Sequence, residues 1–191
     1  MDTAITRPRR WTRAEYEQLI DAGIFQPDEH LELLDGEILT MTPQKSRHAT
    51  VVRLLQRTLE AVFTAGFDVR PQLPLALDLL SAPEPDLAVV AGAPLDYLDA
   101  HPATAVLIVE VSDTSLRLDR QRKGQLYARA GIAEYWIVNL VDGIVEVYRE
   151  PVAMGNGWDY RLVQRLSRDE RIIPLAKPEA GIRIGDFLPP A

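Results

Sequence analysis

Apolar positions along this chain recur with two periods. Over SRHATVVRLLQRTLEAVFTAG, residues 46–66, Val51, Val52, Leu55, Leu59, Val62 and Phe63 fall at helical spacing, and Gly66 supplies a stop. This predicts an amphipathic helix, with Ser46 placed to cap it. WTRAEYEQLIDAG, residues 11–23, predicts a shorter N-terminal helix. Thr12 and Glu15 have capping-box spacing, and Gly23 ends it. LDRQRKGQLYARAG, residues 118–131, predicts a third helix, ended by Gly131.

The other runs are strand-like. HLELLDGEILTM places Asp35-Gly36 between two apolar runs, a strong hairpin signal. DVRPQLPLAL is extended but carries Pro71 and Pro74, which suits an edge strand or an irregular one. SAPEPDLAVVAG is a turn feeding a short apolar strand. TAVLIVEVS, residues 104–112, is the most strand-like run. AEYWIVNL and IVEVYRE predict two strands around the turn Val141-Asp142-Gly143, and WDYRLVQRL predicts one more. A strand–helix–strand crossover over 105–140 implies a mixed sheet covered by helices. The expected organisation is a single domain: an N-terminal arm and short helix over 1–28, then the main body over 29–191.

Composition narrows the class. The 191 residues are 47% hydrophobic and 26% charged, the balance of a soluble globular protein. There are no cysteines, so disulfides and thiolate metal sites are excluded, and a reducing compartment is suited. The opening MDTAITRPRRW lacks the apolar core of a signal peptide, and no apolar run approaches a membrane span. The expectation is a cytoplasmic protein with no membrane partner. The net charge of −7 opposes bulk nucleic-acid binding, so any such contact needs local positive charge. RPRRWTR and RLDRQRKGQLYAR are the two basic concentrations.

The candidate chemistry begins with a glutamate. Ala105 to Val109 are apolar without interruption and run straight into Glu110. By alternation Glu110 shares a strand face with Ile108 and Val106. Two readings stand. Glu110 lies past the buried part of the strand and faces water, or it is buried and its charge is paired or metal-bound. Asp86 follows Pro85 at the start of DLAVV, and reads either as a turn residue or as a second carboxylate converging on Glu110 from a neighbouring strand. A hard cation, Mg²⁺ or Mn²⁺, suits such oxygen ligands. Lys123 stands on the helix after Glu110, and a lysine beside two carboxylates can orient a water or stabilise charge on a phosphate oxygen. Its alternative is a solvated helix face. Tyr127, four residues later on the same face, reads as core packing. Glu32 and Glu37 flank the hairpin turn. Either is able to add a ligand, although alternation against Leu31 and Leu33 also allows Glu32 to be an exposed polar position. His48 is a candidate acid or base. Nothing local marks Gln72 as catalytic. Three scattered histidines make zinc a poor fit, and there is no phosphate-binding glycine loop and no GxSxG.

Together these residues resemble a known group. Pro85-Asp86 and Glu110-Val111-Ser112, with the acids 24 residues apart, are similar to the signature of the PD-(D/E)XK nuclease superfamily. ELLDGEI, EPDLAVV, EVSDTSLRLDRQRKGQLYARAGIAEYWIVNL and a terminal FLP resemble the Uma-type family of restriction endonucleases, from about residue 11 to the end. The resemblance implies an α/β (α+β) restriction-endonuclease-like core, with a mixed central β-sheet flanked by helices and an N-terminal helix and hairpin. It implies a metal-dependent endonuclease acting on DNA, with Asp86, Glu110 and the Val111 carbonyl as metal ligands. The third signature position, lysine in the superfamily, is Ser112 here, and Lys123 is placed to substitute from the helix. Glu32 and His48 would support the site. Nucleases of this shape act as pairs, which implies a homodimer, with AEYWIVNL and IVEVYRE offering the surface. The alternative is a catalytically silent binding or assembly module on the same fold. RNA or a branched DNA junction stays open as substrate.

Overall fold

The computed structural model of the protein describes residues 7–26, 28–41, 43–155 and 157–190. The first six residues of the arm expected over 1–28 lie outside these. Helix α1 (Arg13–Asp21) has the expected capping box: Glu15 N–H donates to Thr12 Oγ1, and Glu15 Oε2 accepts from the Thr12 N–H. Strands β1 (Leu31–Leu34) and β2 (Glu37–Thr40) form an antiparallel hairpin. Asp35 and Gly36 both have positive φ, the requirement of the tight turn read from their sequence.

Six strands form the central sheet: β3 (Phe67–Pro71), β4 (Leu87–Ala91), β5 (Leu107–Ser112), β6 (Glu134–Asn139), β7 (Ile144–Met154) and β8 (Gly157–Leu166), side by side in that order. Only β5 and β6 pair in parallel, as the crossover requires. The proline-bearing β3 is an edge strand, as expected. Two short strands, β9 (Arg171–Ile172) and β10 (Ile182–Arg183), pair with each other.

Both sheet faces are covered, so β5 and β6 are buried at every position and read as near-continuous apolar runs. Helix α2 (Ser46–Val62) lays Val51, Val52, Leu55 and Leu59 on one face, against Leu87, Val89, Leu107 and Val109. Complete burial of each such leucine contributes about 1.5–3 kcal/mol. Ser46 does not cap α2. The cap position is Lys45, which makes no side-chain cap bond, and Ser46 is the first helical residue. The terminal Phe187 and Leu188 join this same face.

The helix expected over 118–131 is not uniform. It consists of α3 (Leu116–Leu118), a π-helical turn (Asp119–Lys123) and α4 (Gly124–Arg129), followed by Gly131 at φ +75°. Gly124 N–H bonds to the Asp119 carbonyl five residues back, the widened pattern that defines the π turn. Leu126 and Tyr127 cover the second sheet face with Ile108, Tyr135 and Ile137. Tyr135 and Trp136 are wholly buried, so neither side chain offers surface to a second copy. Among the described residues, no helix is long and apolar enough to cross a membrane.

Candidate functional site

The ladder between β4 and β5 ends at the pair Leu87–Val109. Asp86 lies just beyond that end, so it meets the next part of β5 with its side chain. Asp86 Oδ2 accepts the Val111 N–H at 2.8 Å, and the Asp86 N–H approaches Glu110 Oε2 at 3.4 Å. Helix α2 starts on the same spot: His48 Nε2 lies 3.1 Å from Asp86 Oδ2. The amides of Gln44 and Gln72 each approach Asp86 Oδ1 at 3.4 Å. Gln72, unremarkable in sequence, holds a positive φ of 50° and donates its N–H to the Asp86 carbonyl at 3.2 Å.

Glu110 is buried in the interior of β5, with 4% exposure, which excludes the water-facing reading. Alternation turns it toward the helical segment of residues 116–129. There Lys123 Nζ donates to Glu110 Oε1 at 3.0 Å, and the Tyr127 hydroxyl donates to the same oxygen at 2.7 Å. Lys123 is 1% exposed, so its solvated-face reading is overturned as well. Tyr127 is core packing, as expected, but its hydroxyl is also part of the site.

Glu32 completes the group. Leu31 and Leu33 face Tyr16, as alternation required, and Glu32 turns the other way. That other side is not solvent. Glu32 is wholly buried, with Oε2 at 3.1 Å from Lys123 Nζ and 3.3 Å from the Glu84 N–H. Glu37, the other hairpin glutamate, is exposed and pairs with Arg122 at 2.9 Å, away from the site. The sequence did carry one overlooked signal: Asp119 lies four residues before Lys123. Asp119 is buried and accepts from Ser112 Oγ and Ser115 Oγ, both at 2.6 Å. The serine at the lysine position of the signature thus anchors the π turn that delivers Lys123.

The electrostatics follow from burial. Burial drives the Glu110 carboxyl up to about 8, against the pull of Lys123, and the nearby Asp119, Asp86 and Glu32 add to the rise. Burial works against the Lys123 ammonium, but the facing Glu110, Glu32 and Asp119 outweigh it and hold the lysine above its ordinary range. For His48, burial also opposes the charged form, and the contact with Asp86 overcomes it, so its pKa is raised. Glu84 is pushed up to about 7 by burial and by Glu32.

The donor set fits a hard divalent cation. Asp86 and Glu110 each have one oxygen held firmly, by Val111 N–H in one case and by Lys123 and Tyr127 in the other. The second oxygen of each has only contacts of 3.4 Å. Glu32 Oε1 is buried with no hydrogen-bond partner among the described residues. These carboxylate oxygens are the ligand type that Mg²⁺ and Mn²⁺ take. Among the described residues, three or more acidic or histidine side chains do not gather into a ready cage. Two carboxylates and a backbone carbonyl is a smaller set, and an extended residue presents its N–H and C=O to the same strand edge, so the Val111 carbonyl lies on the Asp86 side.

Comparison with known proteins bears on the fold and the family. Among curated proteins none matches the chain. A solved structure, described as a putative nuclease belonging to DUF820 from Anabaena variabilis, matches with a TM-score of 0.71 over 93% of this chain and 97% of that one, at 13% identity. That likeness establishes a shared fold. Residues 13–184 match the sequence pattern of Uma2, the family described as "Putative restriction endonuclease", which covers most of the length and includes every site residue above. The chain belongs to the Uma2 family.

Proposed function

We propose that this protein is a divalent-metal-dependent endonuclease that hydrolyses phosphodiester bonds of DNA. The observation that carries the reading is the buried pairing of Glu110 and Glu32 with one lysine, Lys123, with Asp86 set beside Glu110 at the end of the β4–β5 ladder. One ammonium faces more than one buried carboxyl, and their loosely held oxygens suit a cation. Asp86 and Glu110, with the Val111 carbonyl, would hold Mg²⁺ or Mn²⁺. When bound, the ion supplies neutralisation of phosphate charge and a more acidic attacking water.

The chain's own residues do the rest. Lys123 stays protonated and donates to the attacking water or to a phosphate oxygen as charge builds there. Tyr127 and Lys123 hold one Glu110 oxygen and so orient the other. His48 and the Val111 N–H fix Asp86 in the same way. Glu32 positions Lys123 through their ion pair. A cytoplasmic place of action and a homodimer, one site per DNA strand, belong to the same proposal.

A second reading has one observation in its favour. Lys123 already pairs with both Glu110 and Glu32 inside the protein, which suits a catalytically silent binding or assembly module on this fold. Cleavage of supercoiled plasmid and linear duplex at low salt with Mg²⁺ or Mn²⁺ separates the two. The nuclease reading expects nicking by the wild type, none in EDTA, and loss in Asp86→Ala, Glu110→Ala and Lys123→Ala. Loss in the two acid variants alone removes Lys123 from the mechanism. Wild type no better than Asp86→Ala on every substrate establishes the silent module.

A further inference from the structure

The basic residues near the site divide into two groups. The run at 117–129 looks like a nucleic-acid patch in sequence, but most of it is neutralised within the protein. Arg120 pairs with Glu146, Arg122 with Glu37, Lys123 with Glu110 and Glu32, and Arg129 with Asp35 and Asp78. Helix α2 differs. From residue 45 to residue 59 there is no aspartate or glutamate, in a chain whose net charge is −7. Arg53 and Arg57 are exposed, and neither enters an ion pair among the described residues. Among the described residues, the Arg47 guanidinium has only the Pro190 carbonyl, at 3.5 Å.

These positions are ordered. Ser46, Thr50, Arg53 and Arg57 recur at intervals of four, three and four, which makes one stripe along α2. All four are exposed, on the side away from the buried Val51, Val52, Leu55 and Leu59. The stripe runs about 16 Å, and it starts in the turn that sets His48 against Asp86. A merely solvated helix face mixes both signs of charge. Over its first three turns this one presents hydroxyls and then guanidiniums, groups that bind phosphate oxygens, and its one acid, Glu60, comes only in the last turn, where it accepts from Gln56.

We propose that the outward stripe of α2 is where the phosphate backbone of the DNA lies, with Arg53 and Arg57 as direct phosphate contacts. The assignment rests on the nuclease reading for the identity of the ligand. It is independent of whether cleavage occurs.

The test is fluorescence anisotropy of a short labelled DNA duplex with the full-length protein in EDTA, over a series of salt concentrations. The double variant Arg53→Ala/Arg57→Ala should bind at least about ten-fold more weakly at 0.1 M salt. The slope of log affinity against log salt should become shallower by about 1.8, for two lost phosphate contacts. Arg129→Ala should bind like the wild type. Both arginines are exposed, so the double variant should melt as the wild type does. Unchanged affinity and slope in the double variant overturn the assignment, as does an equal loss in Arg129→Ala. Wild type without salt-dependent binding overturns it too, and points the stripe at an acidic protein. Cleavage assays on the same duplex keep the two proposals apart. Asp86-dependent cleavage with unaltered binding by the double variant sinks the stripe alone. Stripe-dependent binding without cleavage in any metal sinks the nuclease alone.

Discussion

Lys123 Nζ lies between two buried carboxylates, 3.0 Å from Glu110 Oε1 and 3.1 Å from Glu32 Oε2. One partner is on the central strand β5 and the other on the hairpin strand β1, so a single ammonium ties two separate parts of the chain together.

Lys123→Met should therefore destabilise the protein by about 3–5 kcal/mol at alkaline pH, where Glu110 is ionised, since removing one partner leaves buried charge uncompensated. The deficit should shrink as pH falls, because the carboxyls can then take up protons. Urea melts of wild type and variant at several pH values measure this. A constant deficit would mean that packing, not charge, is the function of the side chain.

Glu110 predicts a sign for the pH dependence without metal. Its folded pKa, about 8, lies above the ordinary glutamate value, so between roughly pH 4.5 and 8 the native state binds more protons than the unfolded one. Stability should fall as pH rises through that window, by up to about 1.4 kcal/mol per pH unit for one proton. His48 and Glu84, also raised, act with the same sign. Glu110→Gln should flatten the decline but not abolish it. Thermal melts in EDTA read the slope, and an unaltered slope would place the proton elsewhere.

Metal binding should reverse part of that loss. An ion held only by the native state raises the melting temperature in proportion to the logarithm of its concentration, with about 2.7 kcal/mol at 100 times Kd. Mg²⁺ or Mn²⁺ should raise the wild-type Tm and leave that of Asp86→Ala unmoved. Equal shifts in both would show that the ion binds outside this site.

Gly36 is a purely structural prediction. It has φ +79°, and a Cβ there would stand 2.6 Å from Arg10 Cβ and 3.1 Å from the Trp11 carbonyl oxygen. Gly36→Ala should cost at least about 1–3 kcal/mol. Gly66→Ala, also at positive φ but with nothing within 4 Å, should cost less. Paired urea melts give the order, and the reverse order would contradict the packing of the N-terminal segment on the hairpin.

Local pattern by itself determined much of this protein. The capping box of α1, the Asp35-Gly36 turn, the apolar stripe of α2, the edge character of β3 and the parallel crossover from β5 to β6 all depend on neighbours in sequence, and all are present. Asp86, Glu110 and Lys123 were legible as candidates from residue type and spacing. Tertiary structure alone decided their surroundings. Alternation set Glu32 opposite Leu33, but only the packing of the hairpin against the helical segment made that side buried rather than wet. Tyr127 read as core, and only the fold brought its hydroxyl to Glu110. The arginines of 117–129 read as a basic patch until acids distant in sequence, such as Asp35 and Glu146, neutralised them. The physical reason is the same in each case. Periodicity follows from backbone geometry within a few residues, whereas burial and charge pairing are properties of whatever the chain folds against.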